Sequence, residues 1–189
     1  MKVAIHQPEH FPYMGFFQKM KAADVFVILD DVQYTKGNFQ NRNKFKNQNG
    51  NDEWFTISLE KKAHHKLIKD VKTNDTFNWR ERIIKQLYHN FNIDFSDIYS
   101  NSNLIDINLN SINYCRQKLN IDTPLILSST LNIKTKGSQK LSDICNTLNA
   151  TEYISGQGAK KYLDENIFNC KVSFFEPKVK NYYTTLQHI

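Results

Sequence analysis

Long apolar runs, metal-type cysteine spacing and glycine-rich phosphate loops are all missing from this sequence. No apolar stretch approaches the ~20 residues that a membrane helix needs, and no signal peptide precedes the first apolar segment. The three cysteines, Cys115, Cys145 and Cys170, are far apart and odd in number. They form no Cys-x-x-Cys pair and no Cys/His cluster at metal spacing. These absences predict a cytoplasmic protein with reduced thiols, no membrane span and no bound metal. No Walker A pattern and no Gly-x-Gly-x-x-Gly occur, so nucleotide binding through those loops is excluded.

What is present is a chain of 189 residues, 40% apolar, 13% aromatic and 23% charged. That length and composition fit one folded domain over residues 1–189. The net charge is +6, from 25 basic and 19 acidic residues. Such a balance favours acidic partners such as nucleotides, nucleotide sugars or nucleic acid. A solvated basic surface accounts for it equally well.

Apolar patterning sets the fold class. Lys2 to Ile5 reads as a buried strand, followed by a loop that Pro8 and Pro12 keep irregular. Phe16, Phe17 and Met20 form a helical stripe within Tyr13 to Ala23. Val25 to Leu29 is continuously apolar, as a strand covered on both faces should be. Together these form a strand, helix, strand unit with parallel strands and a right-handed crossover. Asp31 to Asn51 reads as a long polar loop, of a length that is often functional. Trp54 to Leu59 reads as a strand, and Lys61 to Lys66 as a basic tip bearing His64 and His65. Helices are expected at Phe77 to Phe91 and Asn103 to Leu119. A strand at Pro124 to Ser129 is followed by a helix capped by Ser138. A short strand, Tyr153 to Gly156, then a helix from Ala159 to Ile167 and a strand at Val172 to Phe175 complete the pattern. Alternating strands and helices predict an α/β fold with a mainly parallel, doubly wound, Rossmann-like sheet flanked by helices.

Ligands of such sheets bind beyond the carboxyl ends of the strands. Four segments end there in polar or small residues: His6-Gln7, Asp30-Asp31, Ser128-Ser129 and Ser155-Gly156. His6 is placed to act as a general base or to hold an anion, against the plainer role of a core histidine bonded to a carbonyl. His10 reads as an exposed residue. Asp30 and Asp31 point to opposite faces, so one is a candidate base and the other a cap or ion-pair partner. Lys36, Arg42 and Lys44, with Gln33 and Asn41, can hold a diphosphate, against the alternative of a solvated loop. Ser128 and Ser129 can bond phosphate or sugar hydroxyls. Cys145 falls on the apolar stripe of its helix and reads as packing. The basic and aromatic residues of Phe77 to Phe91 segregate to different faces, which argues against nucleic acid.

These residues also carry a resemblance. His6-Gln7-Pro8, Phe11-Pro12, Gly15-Phe16, Asp24, Leu29-Asp30-Asp31-Val32-Gln33, Lys36, Asn41-Arg42-Asn43, Ser128-Ser129, Tyr153-Ile154-Ser155-Gly156 and Tyr162-Leu163 resemble the WbqC-like protein family over nearly the whole chain. The resemblance implies a place in bacterial O-antigen or surface-polysaccharide biosynthesis. It further implies transfer of glycine, or another aminoacyl group, to a nucleotide-linked amino sugar. No cofactor is evident, and the acyl donor would be an adenylate made with ATP or a thioester on an acyl-carrier protein. In that reading His6, Asp30 and Asp31 are catalytic. Gln7, Gln33, Lys36, Asn41, Arg42, Lys44, Ser128, Ser129, Ser155 and Gly156 bind substrate. Two alternatives stand beside it: a non-catalytic protein binding a nucleotide sugar or partner, and a degenerate nucleotidylyltransferase-like enzyme whose His-x-Gly-His signature is replaced by Tyr13-Met14-Gly15-Phe16. Members of the family commonly continue past the last strand, whereas this sequence ends at Leu186-Gln187-His188-Ile189, which leaves the completeness of the site open.

Overall fold

Apolar runs become strands and helical stripes become helices along the chain. The elements are β1 (Lys2–His6), α1 (Met14–Lys21), β2 (Val25–Ile28), β3 (Arg42–Lys46), β4 (Asp52–Thr56), α2 (Trp79–Phe91), α3 (Leu104–Lys118), β5 (Leu125–Leu127), α4 (Gly137–Thr147), β6 (Glu152–Gly156) and β7 (Lys171–Phe175). The computed structural model describes residues 1–189. They fall into two units. One comprises Met1–Gln7, Gly15–Asp30 and Ile121–Lys180; the other Pro8–Met14, Asp31–Asn120 and Asn181–Ile189.

The first unit is the expected α/β sheet. Its five strands are ordered β5-β2-β1-β6-β7, and every neighbouring pair is parallel. Counted within the sheet, that order is 3-2-1-4-5, the Rossmann arrangement, with its switch point between β1 and β6. The register aligns Val3 with Val25 and Ala4 with Phe26, so alternate residues share faces. On one face, Phe16 of α1 packs against Phe26 and His6, with ring centroids 5.0 Å apart in both pairs. On the other, Val3, Ile5, Val27 and Tyr153 cluster with Ile144 and Cys145 of α4. Coverage on both sides is why β1 and β2 are apolar at successive positions. Phe16, Phe17 and Met20 are fully buried, each contributing about 1.5–3 kcal/mol by leaving water.

The second unit holds α2, α3 and an antiparallel β3–β4 ribbon. Its core is aromatic. Phe11 meets Phe55, Phe95 and Tyr114 edge to face, and Phe45 meets Phe91. Phe11 adopts a left-handed backbone, φ +42, a strained state for a bulky residue. The strain is held by packing and by hydrogen bonds on both sides of the residue. Its N–H donates to Ser111 Oγ at 3.0 Å, and its carbonyl accepts from Asn43 Nδ2 at 2.8 Å.

Four details depart from the sequence reading. The polar stretch from Asp31 to Asn51 contains β3, because Asn43 faces inward and spends its amide on the His10 and Phe11 carbonyls. Ala159 to Ile167 is not one helix but two single turns, Gln157–Lys161 and Glu165–Ile167. Asp164 separates them by accepting from Asn166 N–H, the kind of local bond that competes with a continuing helix. Ser138 does not cap α4: the capping position is Lys136, and Ser138 Oγ accepts from Asp164 N–H instead. His10 is fully buried rather than exposed.

The buried His10 ring bonds the Tyr99 hydroxyl at 3.0 Å through Nε2. Burial lowers its pKa from 6.5 to about 3, so it folds neutral. The unfolded chain takes up a proton below pH 6.5 and the folded one does not until about pH 3. Stability therefore falls as pH drops through that window, by about 1.4 kcal/mol per unit for this group. Urea denaturation of His10→Gln beside the wild type between pH 6 and pH 4 should show a slope smaller by about that amount. Parallel slopes would disprove this account of His10.

Candidate functional site

The carboxyl ends of the parallel strands place His6, Asp30, Ser128, Ser129, Ser155 and Gly156 along one edge of the first unit's sheet. Three of them are bound together. Asp30, 1% exposed, accepts from Ser128 Oγ (3.0 Å) and Ser129 N–H (2.9 Å) through Oδ1, and from Ser129 Oγ (2.6 Å) through Oδ2. Asp30 N–H in turn donates to Ser128 Oγ at 3.2 Å. The chain after β2 is thereby tied to the turn that follows β5. A carboxylate that accepts hydrogen bonds on both oxygens has few free lone pairs left for abstracting a proton.

His6 ends β1 at the switch point. Its Nδ1 lies 2.9 Å from the Gln7 carbonyl. A carbonyl only accepts, so the proton sits on Nδ1 and the lone pair on Nε2. Burial, then the charge of Lys19, lowers its pKa to about 3, while the Gln7 bond opposes the shift. The source of that charge is itself buried: Lys19 Nζ donates to the Ile5 carbonyl at 2.8 Å. His6 is thus a neutral ring of fixed tautomer, better suited to accepting a hydrogen bond than to storing a proton at neutral pH. Ser155 Oγ lies 3.3 Å from the Tyr153 hydroxyl. Beside Gly156 a side chain would meet nothing within 4 Å.

Of the remaining candidates, Gln7 belongs to the first unit and Asp31, Gln33, Lys36, Asn41, Arg42 and Lys44 to the second. There a cleft of about 460 Å³ is lined by Lys36, Asn41 and Arg42 together with Tyr34, Lys61, Lys62 and His64, among others. Asn41 is spent on structure: it accepts from the Tyr34 hydroxyl at 2.8 Å and donates to the Ile57 carbonyl at 3.0 Å. Arg42 donates to the Gly37 carbonyl at 2.6 Å, and Gly37 takes φ +84, a left-handed conformation that favours glycine. Its guanidinium lies 4.6 Å from the Trp54 ring centroid, and its buried Nε has no acceptor. Gln33 reaches across to the His64 carbonyl at 2.7 Å. Lys44 points elsewhere, to Asp52 at 2.6 Å, where Lys44, Lys46 and Tyr183 hold that carboxylate well below its usual range. Sequence reasoning marked the basic tip around His64 but did not join it to Lys36 and Arg42. It missed Tyr34 as a wall residue altogether.

The sequence model of the WbqC-like protein family matches residues 7–188. The chain belongs to the WbqC-like family. A relative of this WbqC-like chain, the uncharacterized protein Rv1507c of Mycobacterium tuberculosis, is 30% identical over 191 residues, covering 93% of this chain and 82% of its own length. No solved structure matches it. No helix is long and apolar enough to cross a membrane.

The Asp30 cluster makes a stability prediction. Asp30→Ala strands buried donors on Ser128 and Ser129 and should cost about 3 kcal/mol in urea denaturation, against about 1 kcal/mol for Ser129→Ala. Unchanged or increased stability in Asp30→Ala would instead identify a carboxylate held at the expense of the fold.

Proposed function

We propose that this WbqC-like protein forms an amide between an aminoacyl group, such as glycine, and the amine of a nucleotide-linked sugar used in surface-polysaccharide biosynthesis. The observation that carries the proposal is His6, a neutral imidazole of fixed tautomer at the switch point of a Rossmann-ordered sheet. Membership of the WbqC-like family supports the reading through the surface-polysaccharide context that the resemblance implies. The acyl carbon of an adenylate or carrier thioester is attacked by the amine lone pair. The nitrogen then loses a proton and the adenylate or thiolate leaves. Such an amine must be neutral and aimed, and His6 Nε2 would accept one of its N–H bonds. Ser155, at the same sheet edge, would donate to a sugar hydroxyl or to the developing oxyanion. Asp30 serves by holding Ser128 and Ser129 in place, and the leaving phosphate or thiolate takes up the amine proton. In the second unit, taken by itself, Asp31 is a carboxylate candidate, and Lys36 and Arg42 are candidates for binding phosphate.

The engagement of both Asp30 oxygens also favours a second reading, in which the protein binds a nucleotide sugar or a partner without turning it over. The two separate cleanly. Purified protein is incubated with a panel of nucleotide amino sugars and either glycine with ATP or a glycyl-carrier thioester, and products are followed by mass spectrometry. An acylated sugar is expected, with His6→Ala lowering its rate about 100-fold or more at little change in sugar affinity. Binding without any product across the panel would establish the non-catalytic reading; neither binding nor product would remove both.

A further inference from the structure

We infer that the cleft of the second unit is a two-walled clamp for a diphosphate, in which Lys61, Lys62 and the His64 segment face the group from the side opposite Lys36 and Arg42. This extends the phosphate role proposed above for Lys36 and Arg42 and rests on it. Five cations of this unit are paired with carboxylates: Lys44 and Lys46 with Asp52, Lys66 with Glu60, Arg80 with Asp75, and Lys85 with Glu81. Of the cations of this unit without such a partner, four, Lys36, Arg42, Lys61 and Lys62, line one cleft. The single carboxylate of the lining, Glu60, is already taken up by Lys66 Nζ and Lys72 N–H, both at 2.7 Å. Cations gathered in a concave site without counter-charge attract an anion carrying several charges.

The two walls are built to stay together. Tyr34 N–H donates to the Lys66 carbonyl and Ile68 N–H to the Val32 carbonyl, each at 2.9 Å, and Gln33 Nε2 holds the His64 carbonyl. Ala63 is buried beneath the tip, and Lys62 is held in the left-handed region at φ +63, a conformation that costs a non-glycine residue free energy and persists only where the surroundings impose it. A solvated lysine loop needs none of this. The Arg42 Nε is buried and lacks an acceptor, while the same guanidinium is pinned by Gly37 and Trp54. Buried donors without partners are rare, and a ligand oxygen is one way to supply the acceptor.

Inorganic pyrophosphate is the probe, and the protein carries its own reporter. Trp54 is 43% exposed and lies against Arg42, whereas Trp79 is 2% exposed. Titrating pyrophosphate into the full chain should change Trp54 emission saturably, with an affinity that falls as salt rises. Lys61→Gln/Lys62→Gln should weaken binding about tenfold or more, and the equally charge-reduced Lys85→Gln/Lys118→Gln should leave it unchanged, with circular dichroism confirming that both fold. No saturable binding by the wild type, or equal losses in both double variants, overturns the clamp. The outcome is separable from the transferase reading. Clamp binding without acylated sugar would sink the transferase and keep the clamp. Product formation with pyrophosphate binding indifferent to Lys61 and Lys62 would do the reverse.

Discussion

A buried carboxylate must find a donor for each oxygen, and at Asp30 that requirement organises the functional edge of the sheet. Its donors come from Ser128 and Ser129, about a hundred residues away in sequence. The bond set therefore closes a long loop and fixes where the chain turns after β2 and after β5. Losing one partner would leave the others buried without one, so the cluster is worth more intact than its members are singly. Two of the strand ends that bear polar residues are thereby made rigid. His6 is fixed differently, by its neighbour's carbonyl and by the edge of Phe16. Rigid polar groups at strand ends are what a preorganised site needs, and they are also what a stable sheet edge needs.

The fold was legible where burial on two faces forced apolar residues into adjacent positions. Val25 to Ile28 in β2 has no solvated side to carry polar residues, so the strand announces itself. The β3 strand does not. Of its residues only Phe45 is apolar, and the other inward position is held by Asn43. Asn43 belongs there because it satisfies two backbone carbonyls at the strained Phe11 turn, a need set by residues more than thirty positions earlier. No periodicity records such a need. His10 was misplaced for the same reason: its burial depends on Tyr99, supplied from far along the chain.

The candidate site was half legible in a similar sense. Polar residues after apolar strands were readable as residues, and the sheet order puts them on one edge. Their roles were not readable. Asp30 as a base and Asp30 as a tie look alike in sequence, and the difference lies in three donors that only the folded chain supplies. Likewise the Asp31 to Lys44 stretch and the Lys61 to Lys66 tip are both visibly basic. What joins them is backbone pairing between Val32, Tyr34, Lys66 and Ile68 together with one glutamine side chain, none of which has a compositional signature.

Net charge shows where such joining matters. A surplus of +6 over 189 residues is compatible with an evenly solvated surface, and composition alone could not choose. The ion pairs decide it locally. Asp52, Glu60, Asp75 and Glu81 neutralise lysines and arginines outside the cleft or at its rim, and the uncompensated cations of the lining are left facing a shared concavity. Each such cation is screened by water and salt when alone, and surface charges are worth little singly. Held around one concave volume they act on the same ligand, and two walls can grip a diphosphate from both sides where one could only attract it. The sequence supplies the charges, but their gathering around one concave volume is what turns a weak global bias into a directed local field.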